Sequence, residues 1–285
     1  HPTKPGLKIP EMFEAAINKE LKGLWIIGED IVQTDPDSAH VVEAMNSLEL
    51  LVVQEIFMSE TAKLATVVLP GTTFLEKDGT FTNTERRIQR VNRAVPPLPG
   101  TKPDGVIVTD MMQKLGFDQP TYDAEKMLKE IADVVPFFKG VTRERLGKLG
   151  LQWPVQEDGT DTQILHTESF KLGRGRLKNF DWKESTEIET NKKEYPLILT
   201  TSRVLQHYNA ATMTRRTKNI NIVNEDVLLI HPKDAALRDI NTGDIGRLYS
   251  GRGEVALKVE VTDKVKEQLM DQMVEQEAFG RLRRL

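Results

Sequence analysis

The sequence predicts an α/β protein in which a parallel sheet flanked by helices is followed by a small β-barrel. Over residues 1–150, continuous Val, Ile and Leu runs alternate with helical patterns, which is typical of parallel strands covered on both faces. From residue 195 onward, short apolar runs are separated by glycine-containing turns, as in small barrels. Residues 151–194, between these two parts, are rich in Gly, Asp, Thr and Lys, which indicates a polar connection with at most one hairpin.

The predicted parallel sheet has three strands. "GLWIIGED" (residues 23–30) reads as a buried strand that breaks at Gly28, and "ELLVVQEIF" (residues 49–57) reads as a second one. "TVVLPGT" (residues 66–72) reads as a third strand, which Pro70 and Gly71 terminate. These runs are continuously apolar rather than alternating, so both faces of the sheet should be covered by helices.

Helices are predicted between and after these strands. "DPDSAHVVEAMNSL" predicts a helix with Asp35 or Asp37 as its N-cap and Pro36 just inside. "SETAKLA" predicts a short helix that Ser59 caps. Two longer helices are predicted in "GVIVTDMMQKLG" and "DAEKMLKEIADVV".

The predicted barrel is built from "YPLILT", "DVLLIHP", "DIGRLYSG" and "GEVALKVEVTD". Gly243 and the stretch from residue 251 to residue 253 supply turns, and "HPKDAALRDI" predicts a short helix between strands. The last residues, "QLMDQMVEQEAFGRLRRL", predict a charged amphipathic helix. We therefore predict four parts: an α/β domain (1–150), a polar connection (151–194), a barrel domain (195–265) and a helical tail (266–285).

The composition limits the function. The chain has 285 residues, 39% hydrophobic and 29% charged, which is typical of a globular protein with two ordinary domains. The net charge of −4 argues against bulk binding to nucleic acid or membrane surfaces. Cysteine is absent, which excludes thiolate metal sites and iron–sulfur ligation by this chain.

The N-terminal stretch and the apolar runs bear on location. No apolar run approaches the roughly 18 to 20 residues that cross a bilayer. "HPTKPGLKIP" lacks the apolar core of a signal peptide, and a cytoplasmic location is expected. Because the chain does not begin with Met, we expect it to be a piece of a longer protein.

Three strand exits are candidate binding positions, because ligands of open parallel sheets sit beyond the carboxyl ends of the strands. The acidic exits suit a ligand with several N–H or O–H donors, such as a purine base or ribose hydroxyls. The alternative is that Glu29 and Asp30 merely cap the next helix. The exits are Gly28, Glu29 and Asp30; Gln54 and Glu55; and the run from Pro70 to Thr73.

The segment "FLEKDGTFTNTERRIQR" (residues 74–90) concentrates charge around a predicted turn at Gly79. Lys77 and the arginines could face phosphates. The alternative, which the residues alone favour, is a solvated hairpin with scattered ion pairs that each contribute about 0 to 1 kcal/mol.

The stretch "TTSRVLQHYNAATMTRRT" (residues 200–217) follows a predicted strand and lacks apolar periodicity. It offers hydroxyls, an imidazole, amides, a phenol and three arginines, and this inventory suits a large, polar, anionic ligand. Arg203 is positioned to reach a phosphate or a carbonyl-rich ring. The alternative is a loop that only covers the barrel, with Arg215 and Arg216 exposed.

No catalytic constellation can be defended residue by residue. The five histidines, at positions 1, 40, 166, 207 and 231, show no metal-ligand spacing, and no metal ligand is predicted. Nucleophile-elbow, P-loop and dinucleotide-fingerprint motifs are absent from the sequence.

Three motifs together resemble the molybdopterin oxidoreductase family, and within it the catalytic alpha subunits of formate dehydrogenases. They are "IIGEDIVQTD", the run from "LLVVQEIF" to "TERRIQR", and "LTTSRVLQHYNAATMTRRT". The likeness extends from about Gly6 to Val265. It implies a Rossmann-like α/β domain followed by a double-psi-like barrel, each binding one end of the cofactor system.

The resemblance implies particular binding residues. In that family the α/β domain binds the guanosine end of one molybdopterin guanine dinucleotide, and the barrel loop binds the second dinucleotide. The positions implied in the first domain are Gly28, Glu29, Asp30, Gln54, Glu55, Lys77 and Asp104. Those implied in the loop are Thr201, Ser202, Arg203, Val204, Leu205, Gln206, His207, Tyr208 and Asn209.

The sequence also departs from the family pattern. The metal-ligating Cys or selenocysteine, its neighbouring His and the cysteines of the 4Fe–4S cluster lie upstream in the family and are absent here. Thr66 stands where Asp is usual, Gly105 where Trp is common, and Ser202 where Gly is common. After "VTDKVKE" the closing strands of the barrel look deleted, so we predict a truncated barrel domain.

The resemblance implies an activity for the parent enzyme: two-electron oxidation of formate to carbon dioxide at a molybdenum or tungsten centre held by two molybdopterin guanine dinucleotides. It implies as partners the N-terminal remainder of the catalytic subunit and iron–sulfur or NAD/flavin electron-transfer subunits. This chain alone is expected to be inactive. The alternative is a pterin-free structural homologue, as in the large subunit of respiratory NADH dehydrogenase.

Overall fold

The computed structural model describes residues 3–183, 193–250, 253–272 and 281–284. Its helices are α1 (Ile9–Ile17), α2 (Ile31–Thr34), α3 (Ser38–Ser47), α4 (Glu60–Lys63), α5 (Asp104–Lys114), α6 (Ala124–Val134), α7 (Arg143–Leu146) and α8 (Pro232–Ala236). Its strands are β1 (Gly23–Ile27), β2 (Leu50–Glu55), β3 (Val67–Pro70), β4 (Gly79–Thr82), β5 (Arg87–Val91), β6 (Leu151–Gln152), β7 (Ile198–Thr201), β8 (Val227–Ile230), β9 (Ile245–Ser250), β10 (Gly253–Val261), β11 (Leu269–Gln272) and β12 (Arg281–Arg284).

The first sheet is parallel, in the order β1-β2-β3, which confirms the prediction. Ile27 pairs with Gln54, and Glu55 pairs with Pro70, so the three strands end at one edge. The sheet packs with α1, α3 and α4 around an apolar core that includes Val41, Leu51 and Val53. Burial of these side chains is the main favourable term that holds this edge in place.

Side-chain caps fix where the helices begin. Asp37 accepts a hydrogen bond from the backbone N–H of His40 at 3.3 Å, and Ser59 accepts one from Ala62 at 3.2 Å. Ser59 is therefore the cap as predicted, and Asp37 rather than Asp35 caps α3. Pro36 precedes this cap instead of lying inside the helix. The single-turn helix α2 was not predicted.

The hairpin predicted around Gly79 is present, but its turn lies elsewhere. Gly79 begins β4, and the reversal occurs at residues 83–86, where Arg86 adopts a positive φ of 67°. Arg86 donates to the carbonyl oxygens of Trp153, Thr162 and Gln163, the last two at 3.0 Å. This arginine anchors the polar connection to the hairpin, so the hypothesis that it could face a phosphate is not supported.

The hairpin also pairs with the start of the polar connection. β6 lies antiparallel to β5, which makes a second sheet in the order β4-β5-β6. Ile88, Leu146 and Val155 are buried together beneath it with part of α6. The rest of the connection up to residue 183 is irregular, and residues 184–192 lie outside the described part of the chain.

The third sheet is mixed, in the order β12-β9-β10-β8-β11-β7. β8 runs parallel to β10, and β11 joins β8 and β7. Leu197, Leu228, Ile230, Leu248 and Val259 form its core. The described pairings leave β12 and β7 at opposite ends of the order, so the sheet is not a closed barrel within those residues and the double-psi-like barrel stays a prediction.

The helix predicted for residues 266–285 is wrong where the structure describes this segment. β11 pairs in parallel with β7 and antiparallel with β8, and β12 pairs with β9. Met270 lies opposite Leu199 and Ile230, so exposed backbone edges of the sheet capture a segment whose sequence pattern favours a helix. The division of the chain into four parts remains a prediction.

Among the described residues, none of the helices has both the length and the apolar character needed to span a bilayer.

Candidate functional site

Three predicted site residues meet at the carboxyl end of β2. The side-chain amide of Gln54 donates to Asp104 Oδ1 at 2.8 Å, and Lys77 Nζ donates to Asp104 Oδ2. Gln54 is supplied by β2, Lys77 by the turn before β4, and Asp104 by the first residue of α5. Gly71 lets Asp104 approach, because a Cβ there would lie 3.2 Å from Asp104 Oδ1. We call Gln54, Lys77 and Asp104 the exit cluster.

The exit cluster keeps Asp104 ionised. Burial opposes the charged form of this carboxyl, but hydrogen bonds from Lys77 and Gln54 outweigh it, so the pKa of Asp104 lies below its ordinary value. Burial and the nearby Asp104 carboxylate together raise the pKa of Tyr122. Tyr122 therefore stays protonated, and its ring lies against Gly105, in the space that a side chain at that position would occupy.

Each of the three strand exits carries a buried polar atom without a hydrogen-bond partner in the described structure. These atoms are Asp30 Oδ2 after β1, Gln54 Oε1 near the end of β2 and Thr72 Oγ1 after β3. The three residues are only 6%, 1% and 2% exposed, respectively. An unsatisfied buried polar atom costs about 1 to 3 kcal/mol, so three of them along one edge call for a ligand or ordered water.

The acidic side chains after β1 and at the end of β2 make local structural hydrogen bonds, as the capping alternative expects in part. Asp30 Oδ1 accepts from the backbone N–H of Thr61 at 2.9 Å and from its hydroxyl at 2.7 Å, which ties α4 to the β1 exit. Glu29 accepts from the Thr34 hydroxyl at 2.8 Å, and Gly28 has a positive φ of 65°. One oxygen of each acid is therefore structural. Glu55 likewise accepts from the backbone N–H of the next residue, Ile56, at 2.7 Å.

Glu76 is a site residue that the sequence analysis missed. It is buried, and it accepts from the backbone N–H and hydroxyl of Thr73, both at 2.8 Å, and from the N–H of Leu98 at 2.9 Å. The hydrogen bonds from Thr73 and then Leu98 lower the pKa of Glu76. Glu76 fixes the turn that presents Lys77. The Thr-x-x-Glu spacing of a capping box was the available signal.

A cavity of about 280 Å³ opens beside the exit cluster. Lys77 and Asp104 line its polar end, whereas Met127 and Ile131 of α6 line its apolar end together with Phe81 of β4. The lining therefore combines a charged end with an apolar end, as in many ligand pockets.

The predicted binding loop after β7 is mostly exposed. Arg203 Nη1 donates to Asn209 Oδ1 at 2.9 Å, which closes the loop on itself. Leu205 is 99% exposed and Tyr208 is 74% exposed. Val204 and Gln206 are half-buried, as is Thr201 at the end of β7, whereas Ser202 is exposed. This stretch therefore presents side chains outward without an apolar base of its own.

His207 holds the loop from beneath. Its Nδ1 lies 3.0 Å from the Thr214 hydroxyl, and its Nε2 lies 2.8 Å from the carbonyl oxygen of Val223. The Nε2 contact requires a proton on Nε2, because a carbonyl only accepts. Both ring nitrogens are engaged within the protein, so His207 supports the loop and offers no free ring nitrogen in this structure.

The two arginines near the end of the loop differ in their environment. Arg215 donates to both carboxylate oxygens of Asp226, at 2.8 and 3.0 Å, so it does not follow the alternative in which it is simply exposed. Arg216 is exposed, as the alternative has it, and its guanidinium lies 4.7 Å from the centre of the Phe57 ring. Phe57 follows β2, so this contact brings the loop to the β2 exit.

The described residues contain no group of three or more His, Asp or Glu side chains arranged to hold a metal ion. The candidate site consists of the polar strand exits and the loop after β7, which hydrogen bonds to His207 hold in place. Both sides offer hydrogen-bonding and charged groups.

This arrangement is that of an α/β protein with charged and hydrogen-bonding groups at the carboxyl ends of its parallel strands, where open sheets of this kind bind their ligands. Residues 1–114 match the family model for molybdopterin oxidoreductase, and residues 197–270 match that for the molydopterin dinucleotide binding domain. The chain thus contains a molybdopterin oxidoreductase domain and a molydopterin dinucleotide binding domain.

Curated relatives agree with this assignment. The chain is 43% identical over 265 residues to the F420-dependent formate dehydrogenase subunit alpha of Methanocaldococcus jannaschii, covering 92% of this chain and 39% of the relative. It is 41% identical over 270 residues to the F420-dependent formate dehydrogenase 1 subunit alpha of Methanococcus maripaludis, with coverages of 92% and 39%. The chain thus spans about two-fifths of the length of these relatives.

A solved structure supports the fold. Acetylene hydratase from Pelobacter acetylenicus superimposes with a TM-score of 0.70 at 19% sequence identity, over 93% of this chain and 39% of that one. At this identity the likeness concerns the fold alone.

Proposed function

We propose that this chain is the molybdopterin guanine dinucleotide-binding part of a formate dehydrogenase-like oxidoreductase. The two family models and the formate dehydrogenase alpha subunits among the relatives support the proposal. The observation that carries it is the set of unpartnered buried atoms on Asp30, Gln54 and Thr72, one at each strand exit. The guanosine end of such a dinucleotide has N–H and O–H donors for the oxygens of this edge.

The residues present fit the nucleotide end of this group. Gly28 leaves room for close approach of the backbone to a ligand, since it has no Cβ and a positive φ. Glu29, Asp30 and Glu55 supply acceptors for base or ribose donors. Gln54 Oε1 adds a further acceptor, and Gln54 orients Asp104. Lys77 balances the charge of Asp104 and adds positive potential beside the ligand phosphates.

The loop after β7 is proposed to hold the second dinucleotide. Thr201 and Ser202 supply hydroxyls, and Arg203 supplies a guanidinium suited to a pyrophosphate. Asn209 orients Arg203 through their 2.9 Å hydrogen bond. The other proposed residues, Val204, Leu205, Gln206, His207 and Tyr208, shape the loop, and in this proposal the third sheet belongs to a double-psi-like barrel.

When bound, the bis-dinucleotide centre would supply molybdenum or tungsten chemistry for the two-electron oxidation of formate to carbon dioxide. This chain would bind and orient that centre and set its electrostatic surroundings. The 4Fe–4S cluster, the remainder of the catalytic subunit and the electron-transfer subunits would be supplied by other segments or chains.

The test is cofactor analysis of the protein purified from a molybdate- or tungstate-supplied host. We expect acid extraction under oxidising conditions to release fluorescent oxidised pterin, and phosphodiesterase treatment to release GMP in proportion. Lys218→Ala, at an exposed position outside the proposed contacts, should retain the wild-type amount, whereas Arg203→Ala should release much less. A folded wild-type protein without pterin or GMP would refute the proposal.

A second candidate is a pterin-free structural subunit. The hydrogen-bonding contacts of both His207 ring nitrogens and the ion pair of Lys77 with Asp104 favour it, because these groups already have protein partners without a ligand. A folded protein that lacks pterin and does not bind guanosine diphosphate would support this candidate.

A further inference from the structure

The guanidinium of Arg216 lies over the ring of Phe57, with Cζ 4.7 Å from the ring centre. This distance is within the range of a cation–π contact, in which a flat cation is attracted by the ring face. Phe57 comes from the segment after β2, and Arg216 comes from the one-turn 3₁₀ helix Thr214–Arg216 near the end of the loop. The contact therefore joins the two sides of the proposed dinucleotide site.

On the loop side, Arg216 shares one turn of 3₁₀ helix with Thr214, whose hydroxyl contacts two of the proposed ligand-binding residues. Its Nε donates to the carbonyl oxygen of Thr212 at 3.1 Å. The Thr214 hydroxyl accepts from the backbone N–H of Tyr208 at 3.2 Å and contacts His207. Movement of Arg216 should thus move residues 207–209 with it.

On the sheet side, Phe57 is held between β2 and α4. Its carbonyl oxygen accepts from the backbone N–H of Ser59 at 2.9 Å, and Ser59 caps α4. Ile56, the residue before it, donates its N–H to Glu55 at 2.7 Å. The backbone that carries Phe57 is thus tied to the start of α4, and it lies two residues after Glu55 at the β2 exit.

We propose that Arg216 and Phe57 form a latch that fixes the separation between the loop and the β2 exit. In this role Arg216 is a positioning residue: it places Arg203 and its neighbours opposite Glu55 and the exit cluster, so that one ligand system can contact both sides. An arginine suits the role because its planar guanidinium stacks on a ring, whereas the ammonium of a lysine is a compact and strongly hydrated charge. The inference rests on the proposed function.

The first test measures the separation without a ligand. Because the chain has no cysteine, Glu43→Cys on α3 and Leu237→Cys after α8 introduce the two labelling sites for electron-spin distance measurements. We expect one narrow distance distribution in the labelled parent. Arg216→Ala and Phe57→Leu should each broaden it, and the double variant should broaden it no further. Phe57→Tyr, which keeps the ring face, should preserve the narrow distribution.

Distributions that stay narrow in Arg216→Ala or in Phe57→Leu would overturn the latch. Lys218→Ala is the matched control, since Lys218 is an exposed cation two residues from Arg216. If it broadens the distribution as much as Arg216→Ala, the effect is not specific to the stack, and the latch is also overturned.

The second test measures the affinity of the same variants for guanosine diphosphate by calorimetry. We expect Arg216→Ala and Phe57→Leu to weaken binding equally, by about two- to fivefold, and the double variant to weaken it no further. A loss confined to Arg216→Ala would mean that this guanidinium contacts the phosphate directly, which would overturn the latch.

The two tests separate the latch from the proposed function. A wild-type protein that does not bind guanosine diphosphate would count against the proposed function, while the ligand-free distances would still decide the latch.

Discussion

At the strand edge, the polar side chains of Asp30, Gln54 and Thr72 are buried, whereas most polar side chains of the loop after β7 are exposed. Gln54 is 1% exposed and Tyr208 is 74% exposed. The edge is built on a rigid parallel sheet, so its geometry is set by the core. The loop depends on a few hydrogen bonds, above all those of His207. The comparison teaches that one proposed binding surface is preformed by packing and the other by local polar contacts.

The largest effects should come from the two cores beneath these surfaces. Leu51→Ala under the edge and Leu228→Ala under the loop should each destabilise the protein by about 2 to 5 kcal/mol, because both side chains are buried and leave cavities. If the two regions are separate folding units, hydrogen exchange should increase mainly in the region that carries the substitution. Equal increases throughout the chain would contradict the separation of the two regions.

Gln54→Glu tests the preformed character of the edge. It places a carboxylate in a buried position beside Asp104, and we expect it to lower the free energy of unfolding by about 2 to 3 kcal/mol at neutral pH. Gln54→Leu should cost less, since it removes an unpartnered oxygen together with one donor. Urea unfolding of both variants measures the difference. Equal losses would mean that the added charge reaches solvent and that the edge is not closed.

His207→Ala tests the staple under the loop. The loss of two hydrogen-bonding contacts should destabilise the loop by about 1 to 2 kcal/mol and speed tryptic cleavage at Arg215 and Arg216. His231→Ala is the matched control, because His231 accepts the N–H of Lys233 at the start of α8 and lies outside the loop. Cleavage rates unchanged by His207→Ala would show that the loop holds its shape without this side chain.

The smallest effect should be an acid-dependent one at Asp104. Folding lowers the pKa of Asp104, so its ionised form stabilises the folded protein. This stabilisation is fully present above the unfolded pKa near 4 and is lost as the pH falls through the lower folded pKa. The contribution should be below about 1 kcal/mol, since the side chain is 39% exposed. The advantage of the wild type over Asp104→Asn in urea unfolding should therefore shrink on acidification. A stability advantage that grows at acid pH would contradict a lowered pKa of Asp104 in the folded protein.

The sequence predicted the parallel sheet because uninterrupted Val, Ile and Leu runs have few alternatives once helices separate them. The caps at Asp37 and Ser59 were predictable for a similar reason, since they act over three residues. The tail was not, because β11 finds its partners in Ile198–Thr201 and Val227–Ile230, far away in sequence. A helical pattern carries no information about such edges.

In the candidate site, too, the features set by local sequence were predictable and the contacts between distant residues were not. Its strand-exit residues follow from the sheet rule, but the contact of Lys77 with Asp104 joins positions 27 residues apart. The engagement of His207 with Val223, 16 residues away, was likewise invisible, and it turns a residue chosen as a ligand contact into a support. The family resemblance located the loop, and only coordinates could separate its outward side chains from its inward ones.

The pairing of Gly105 with Tyr122 has a consequence for sequence variation. The ring of Tyr122 occupies the volume that a side chain at position 105 would need. A bulky residue at 105 therefore requires a smaller one at 122 or an outward shift of the chain before α6, so the two positions should change together among proteins of this lineage. A single exchange at either position, made without its counterpart, should remodel the mouth of the neighbouring cavity.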